Sequence, residues 1–151
     1  MYAVCREVVT VSSQFYTLKG YALLEANAIT TSMEDYLEMA YRLHTKGQPI
    51  RIGTLADNLN VKPSSATKMV ANLKKQGLVT SERYGYIQLT PAGVEMGGYL
   101  VSRHDIIHDL LCYINQSTDE LEQVEKIEHF INPATVMNMK RWLDIMQNKT
   151  Q

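Results

Sequence analysis

The sequence predicts a mainly α fold: an N-terminal winged helix-turn-helix with a small β-hairpin wing, followed by an all-helical half. Three observations carry this expectation. Two short helical patterns meet at Asn60-Val61-Lys62, where Pro63 stands at the first position of the second helix. Two short apolar runs, Leu78-Val79-Thr80 and Ile87-Gln88-Leu89, flank Arg83-Tyr84-Gly85-Tyr86 and read as a hairpin with a glycine near its tip. From Thr90 onward, apolar residues at helical spacing make more apolar surface than one small winged helix could cover. The expected divisions are residues 1–30 as an extension of uncertain structure, 31–92 as the winged helix and 93–151 as the helical half.

A length of 151 residues suits one compact domain or two small packed subdomains. No apolar run approaches the roughly 18 to 20 residues of a membrane span, and Arg6 and Glu7 interrupt what would have to be a signal-peptide core. Cys5 and Cys112 lie far apart without Cys-x-x-Cys spacing, which fits a reducing compartment and argues against a thiolate metal site. A cytoplasmic protein without membrane contact is expected. The net charge of −1 conceals an asymmetry. Lys62, Lys68, Lys74, Lys75 and Arg83 against Glu82 give one stretch +4, while Asp119, Glu120, Glu122, Glu125 and Glu128 against Lys126 give another −4. One region favours phosphate and the other favours cations.

Residues 1–30 contain Val8, Val9, Val11, Phe15, Tyr16 and Leu18, a pattern too short to fix as strand or hairpin. Thr31-Ser32-Met33-Glu34 reads as a capping box opening a helix to about His44, with Met33, Tyr36, Leu37, Ala40, Tyr41 and Leu43 toward a core. Asp35 and Glu38, three apart, are neighbours on its flank. The next helix turns Leu55, Ala56 and Leu59 inward. The helix from Pro63 turns Val61, Ala66, Met69, Val70 and Leu73 inward and stops at Gly77. Ser64, Ser65, Thr67 and Lys68 are left on its outward face. Small hydroxyls allow close approach and hydrogen bonds to phosphates or base edges, while lysines supply salt-dependent phosphate attraction. The expected DNA contacts are Lys62, Ser64, Ser65, Thr67, Lys68 and Arg83.

Thr90-Pro91 opens a long helix to about Asn115, in which Met96, Tyr99, Leu100, Ile106, Ile107, Leu110, Leu111 and Ile114 form a broad apolar surface. His44 and His108 read as structural or surface histidines, and Cys112 as core. A last amphipathic helix runs from Pro133 to Gln147, with Val136, Met139, Leu143 and Met146 on one stripe and Trp142 beside it. So much helical apolar surface on a short chain predicts a homodimer, whose two-fold axis would set two winged helices on one palindromic duplex.

Between these two helices Ser117 and Glu120 read as a capping box, and Glu125, Glu128 and His129 follow at i, i+3 and i+4. On one helix these three would project two carboxylates and an imidazole from the same face, half of a cation site. An acidic face that is merely solvated is the competing reading.

Four runs in order complete the pattern: Ser32-Met33-Glu34-Asp35-Tyr36-Leu37-Glu38, Pro63-Ser64-Ser65-Ala66-Thr67-Lys68-Met69-Val70, Arg103-His104, and Glu125-x-x-Glu128-His129. Together they resemble the manganese transport regulator branch of the diphtheria toxin repressor family, over residues from about 31 to 147. The resemblance implies a metal-dependent DNA-binding repressor of metal-uptake genes, with Asp35, Glu38, His104, Glu125, Glu128 and His129 as metal ligands. Four carboxylates and two imidazoles without thiolate form a hard to borderline set suited to Mn(II) or Fe(II), and four negative charges balance two dications, favouring a binuclear site. The iron-responsive branch has cysteine where Glu125 stands and methionine where Asp35 stands, so Mn(II) is the expected ion, with Fe(II), Zn(II) or Cd(II) as possible competitors. His108 stands where relatives often carry an acidic residue.

Metal would relieve repulsion among the clustered carboxylates and tie the first helix to the helical half, fixing the spacing of two recognition helices. A catalytic role is not expected. One rival reading, a carboxylate-bridged di-metal enzyme, usually needs two Glu-x-x-His repeats on paired helices, and this chain has Glu-x-x-Glu-His once. The other is a winged-helix regulator that ignores metal.

Overall fold

The structure, a computed structural model, describes residues 29–81 and 85–149; the expectations for residues 1–28 and for Arg83 fall outside them. Helix α1 spans Thr31–Thr45, α2 Ile52–Asn58 and α3 Pro63–Lys75; strands β1 (Val79–Ser81) and β2 (Ile87–Leu89) follow. Then come α4 (Pro91–Asn115), α5 (Leu121–Ile127), a 3-10 turn (Glu128–Phe130) and α6 (Pro133–Lys149). This is the mainly helical fold with one small antiparallel hairpin that the apolar spacing predicts.

The punctuation residues act where expected, with two exceptions. Asn60 turns the chain between α2 and α3 at φ 53°, and Gly77 ends α3 at φ +71°. Such positive values are cheap for Asn and Gly because their short or absent side chains tolerate the left-handed region. At α1, however, the capping residue is Thr30, whose Oγ1 accepts the Met33 N–H at 3.3 Å. Thr31 is already helical, and Glu34 is free for tertiary contacts. The second expected box is also absent: Ser117 Oγ donates to Glu120 Oε1 at 2.6 Å, and α5 starts after Glu120 without a side-chain cap. Here the two side chains satisfy each other instead of the backbone.

One apolar core joins α1, α2, α3, the hairpin and α4. Leu37, Leu55, Ala66, Leu73, Val79 and Leu100 are each no more than 2 % exposed within it. Burying such side chains contributes about 1.5–3 kcal/mol each, so this core fixes the position of α1 against α4. Val61 departs from expectation: at 38 % exposed it sits in the α2–α3 turn and not in the core. Cys112 is half-buried, with Sγ 3.6 Å from His108 Nε2.

The hairpin pairs Val79 with Leu89, Thr80 with Gln88 and Ser81 with Ile87, and Ile50 adds a bridge to Ile87. It is locked to α4 by Thr90. This residue's Oγ1 accepts the Gly93 N–H at 3.0 Å, capping the helix, and donates to the Gly77 carbonyl at 2.6 Å. Two glycines let α4 approach closely. A Cβ at Gly93 would lie 1.9 Å from the Leu78 carbonyl oxygen, and one at Gly97 would lie 2.7 Å from the Tyr41 Cβ of α1. Close packing of α1 on α4 brings the acidic flank of α1 up to His104.

Candidate metal centre

Each of four elements supplies part of the centre. Asp35 and Glu38 stand on α1 one turn apart, and His104 stands on α4. Glu125 is in α5, whereas Glu128 and His129 are in the 3-10 turn. This corrects the expectation of a single continuous helix. A residue three positions on stays on the same side in either geometry, so tightening the last turn leaves Glu128 beside Glu125.

His104 Nδ1 is the hub. It lies 3.2 Å from Glu128 Oε2, 3.8 Å from Glu125 Oε1 and 4.0 Å from Glu38 Oε1. Donor atoms of Glu38, His104 and Glu128 all fall within 4.8 Å of one another. Oxygen ligands stand about 2.0–2.6 Å from Mg(II) or Ca(II), so donors this close can surround one such ion with little movement. The other two candidates pair with each other, His129 Nε2 lying 3.1 Å from Asp35 Oδ1. Both groups meet at an open cavity of about 290 Å³ lined by Asp35, Glu38, His104 and Glu125, with Met39, Arg42, Leu59 and Leu121. Four of the six expected ligands line this cavity, and Glu128 and His129 reach it through their contacts with His104 and Asp35; the donors are carboxylate and imidazole only. That set fits a hard to borderline divalent ion.

Burial of Glu128 and His104 makes this part of the cluster costly without a counter-charge, while the Glu125 and Asp35 side chains stay exposed at 60 % and 42 %. Glu128 is 1 % exposed, an unusual place for a carboxylate unless it is paired. Its hydrogen bond to His104 raises the imidazole pKa against the opposing effect of burial. Glu125 is also raised, by desolvation where it faces the cavity and by the Glu128 charge. Hydrogen bonds to Asp35 and Glu34 push His129 from 6.5 up to about 10. Without metal, a proton on His129 supplies part of the missing positive charge.

Two residues outside the expected set complete the arrangement. Arg103, 3 % exposed, donates to Glu34 Oε2 at 2.8 Å, and the same oxygen lies 2.7 Å from His129 Nδ1. A guanidinium only donates, so its approach to 3.3 Å of His129 Nδ1 is bridged by the shared carboxylate, to which Nδ1–H donates. His129 Nε2 is thereby turned toward Asp35. This is how a carboxylate behind a histidine commonly fixes a metal-binding tautomer. Burial alone would raise the Glu34 carboxyl, but hydrogen bonds from His129 and Arg103 outweigh it and hold the pKa down. Arg103 Nε is left without a partner among the described residues. The available sequence signal is adjacency, since Glu34 precedes Asp35 and Arg103 precedes His104.

The start of α3 is basic and exposed. Lys62, Ser64, Ser65, Thr67 and Lys68 are all exposed at the start of α3. Thr67 Oγ1 donates to the Pro63 carbonyl at 2.9 Å, while Lys62 and Lys68 form no salt bridge among the described residues.

Residues 28–87 match the family described as iron dependent repressor, N-terminal DNA binding domain. The chain is 34 % identical over 119 residues to the HTH-type transcriptional regulator MntR of Lysinibacillus sphaericus, covering 78 % of this chain and 86 % of that one. It is 42 % identical over 121 residues to MntR of Listeria welshimeri, covering 79 % and 84 %. Among solved structures, the manganese regulator SloR superposes with TM-score 0.68 at 24 % identity, a likeness of fold, over 77 % of this chain and 55 % of that one. ScaR with bound Zn2+ superposes with TM-score 0.64 at 27 % identity over 74 % and 53 %. With MntR relatives matched across most of their length, the chain belongs to the MntR family of helix-turn-helix transcriptional regulators.

Proposed function

We propose that this chain is a Mn(II)-activated DNA-binding repressor whose switch is a binuclear site held by Asp35, Glu38, His104, Glu125, Glu128 and His129. The observation that carries the reading is that Asp35, Glu38, His104 and Glu125 line one cavity, with Glu128 against His104 and His129 against Asp35. A bound ion supplies positive charge that the clustered carboxylates lack. Glu38, His104 and Glu128 would hold one ion, and Asp35 and His129 would contribute to a second, with Glu125 beside both. Because α1 also packs within the winged-helix core, ions held there would tie that core to the helices after it. The division of the chain into residues 31–92 and 93–151 follows this functional seam, which α4 crosses.

The α3 face is the proposed DNA-reading surface, with Lys62 and Lys68 toward phosphates and Ser64, Ser65 and Thr67 toward the major groove; Arg83 of the wing would add a phosphate contact. A second copy of the chain is the proposed partner. Tyr113, Ile114, Phe130, Met137, Trp142 and Ile145 are large exposed apolar side chains of α4, the 3-10 turn and α6, and a two-fold pair would cover them. Two recognition helices would then meet successive major grooves of a palindromic site. Coupling of about 1–3 kcal/mol between metal and DNA would be enough to make occupancy follow the ion.

The test is a duplex selected from a randomised library in the presence of Mn(II), followed by titration of its affinity against Mn(II) at constant salt. A rise of about 5- to 150-fold is expected. An affinity that ignores Mn(II) would sink the reading.

A further inference from the structure

We propose that Arg42 is a resident counter-cation of the metal-free centre, which an incoming ion must displace from Glu38, so that Arg42 sets the ion concentration at which the centre fills. The inference rests on the reading of the cluster as a metal centre and concerns a residue outside its ligand set.

Arg42 donates from Nε to Glu38 Oε1 at 2.9 Å, and its NH2 group lies 2.7 Å from the same oxygen. That oxygen is the one facing His104 Nδ1 at 4.0 Å. Two N–H groups thus occupy lone pairs that a metal ion at the hub would use. Arg42 also lines the cavity itself, with Asp35, His104 and Glu125. Unlike the imidazoles, it cannot vacate the site by losing a proton, because arginine stays charged at any ordinary pH. An ion and Arg42 are therefore competing cations, and they repel each other if both remain. A second acceptor is within reach: Asp105 Oδ1 of α4 lies 4.0 Å from the same NH2 group, with its side chain 62 % exposed. A small swing of Arg42 would free Glu38 and strengthen a link between α1 and α4. An ordinary helix-surface ion pair at i, i+4 would instead leave metal affinity untouched.

The test is calorimetric titration of MnCl2 into the full chain and into Arg42→Met, Arg42→Gln and Arg42→Lys variants, with circular dichroism to establish folding. Both uncharged variants keep an unbranched stem and the helix propensity of the position, so either one suffices if the other fails to fold. Expected is binding about three- to tenfold tighter in Arg42→Met and Arg42→Gln, and near wild type in Arg42→Lys. The increase in melting temperature produced by saturating Mn(II) should be larger in the uncharged variants. Asp105→Asn should weaken Mn(II) binding with Arg42 present and leave it unchanged in the Arg42→Met background. Unchanged or weaker binding in both uncharged variants, with wild type binding normally, overturns the Arg42 proposal while leaving the metal centre standing. Absence of Mn(II) binding by the wild type overturns both.

Discussion

In the acidic centre, Glu128 and Arg103 are 1 % and 3 % exposed and lean on His104 and Glu34 from distant parts of the chain; at the start of α3, Lys62, Ser64, Ser65, Thr67 and Lys68 come from one short run and face solvent. The contrast separates two uses of polarity. Buried charges must be neutralised by partners, so the centre responds as a unit and its state is felt wherever those partners sit. Exposed charges make no such demand and are available to an external polyanion. A sensor needs the first kind of surface at its input and the second at its output.

If this contrast is right, the largest effect on the fold should come from Arg103. Arg103→Leu leaves Glu34 facing an apolar neighbour, and a loss of about 3 kcal/mol is expected in chelator, read by chemical denaturation. A loss below 1 kcal/mol, roughly the ceiling for exposed pairs, would erase the distinction between the two regions. Glu34→Gln should keep the fold yet weaken Mn(II) binding about tenfold, because the carboxylate behind His129 Nδ1 would be lost.

The pH dependence separates the regions further. Pairing raises His129 above its unfolded pKa, so its contribution to the stability of the metal-free protein is complete below about pH 6.5 and disappears as pH rises through about 10. Metal needs the neutral ring. Within that window Mn(II) should displace one proton from His129, and its affinity should rise about tenfold per pH unit. Calorimetry in buffers of different ionisation enthalpy counts the proton, and a count of zero would contradict the assignment. The smallest effect is expected on α3. Lys68→Ala should leave stability within about 0.5 kcal/mol and lower the salt slope of DNA binding by about one.

Much of the fold is legible in local chemistry. Pro63, Gly77 and Thr90-Pro91 mark helix ends because proline, glycine and a capping hydroxyl each act within a few residues. Capping patterns are less decisive where two hydroxyls compete, as at Thr30 and Thr31, or where a glutamate finds a better tertiary partner, as Glu34 does in Arg103 and His129. The spacing of Glu125, Glu128 and His129 brings them together but does not distinguish α-helix from a closing 3-10 turn. For Arg42 pattern alone is silent, and for Glu34 and Arg103 it offers only adjacency to Asp35 and His104: their importance comes from packing α1 against α4, which the sequence encodes through Gly97, Gly98 and the shared core.

Anomalous scattering from a Mn(II)-soaked crystal tests the central claim most directly. Two manganese peaks per chain are expected at the cavity between α1, α4 and α5 and the adjoining 3-10 turn, ligated by Asp35, Glu38, His104, Glu125, Glu128 and His129. Peaks elsewhere, or none at these side chains under saturating Mn(II), would contradict the account.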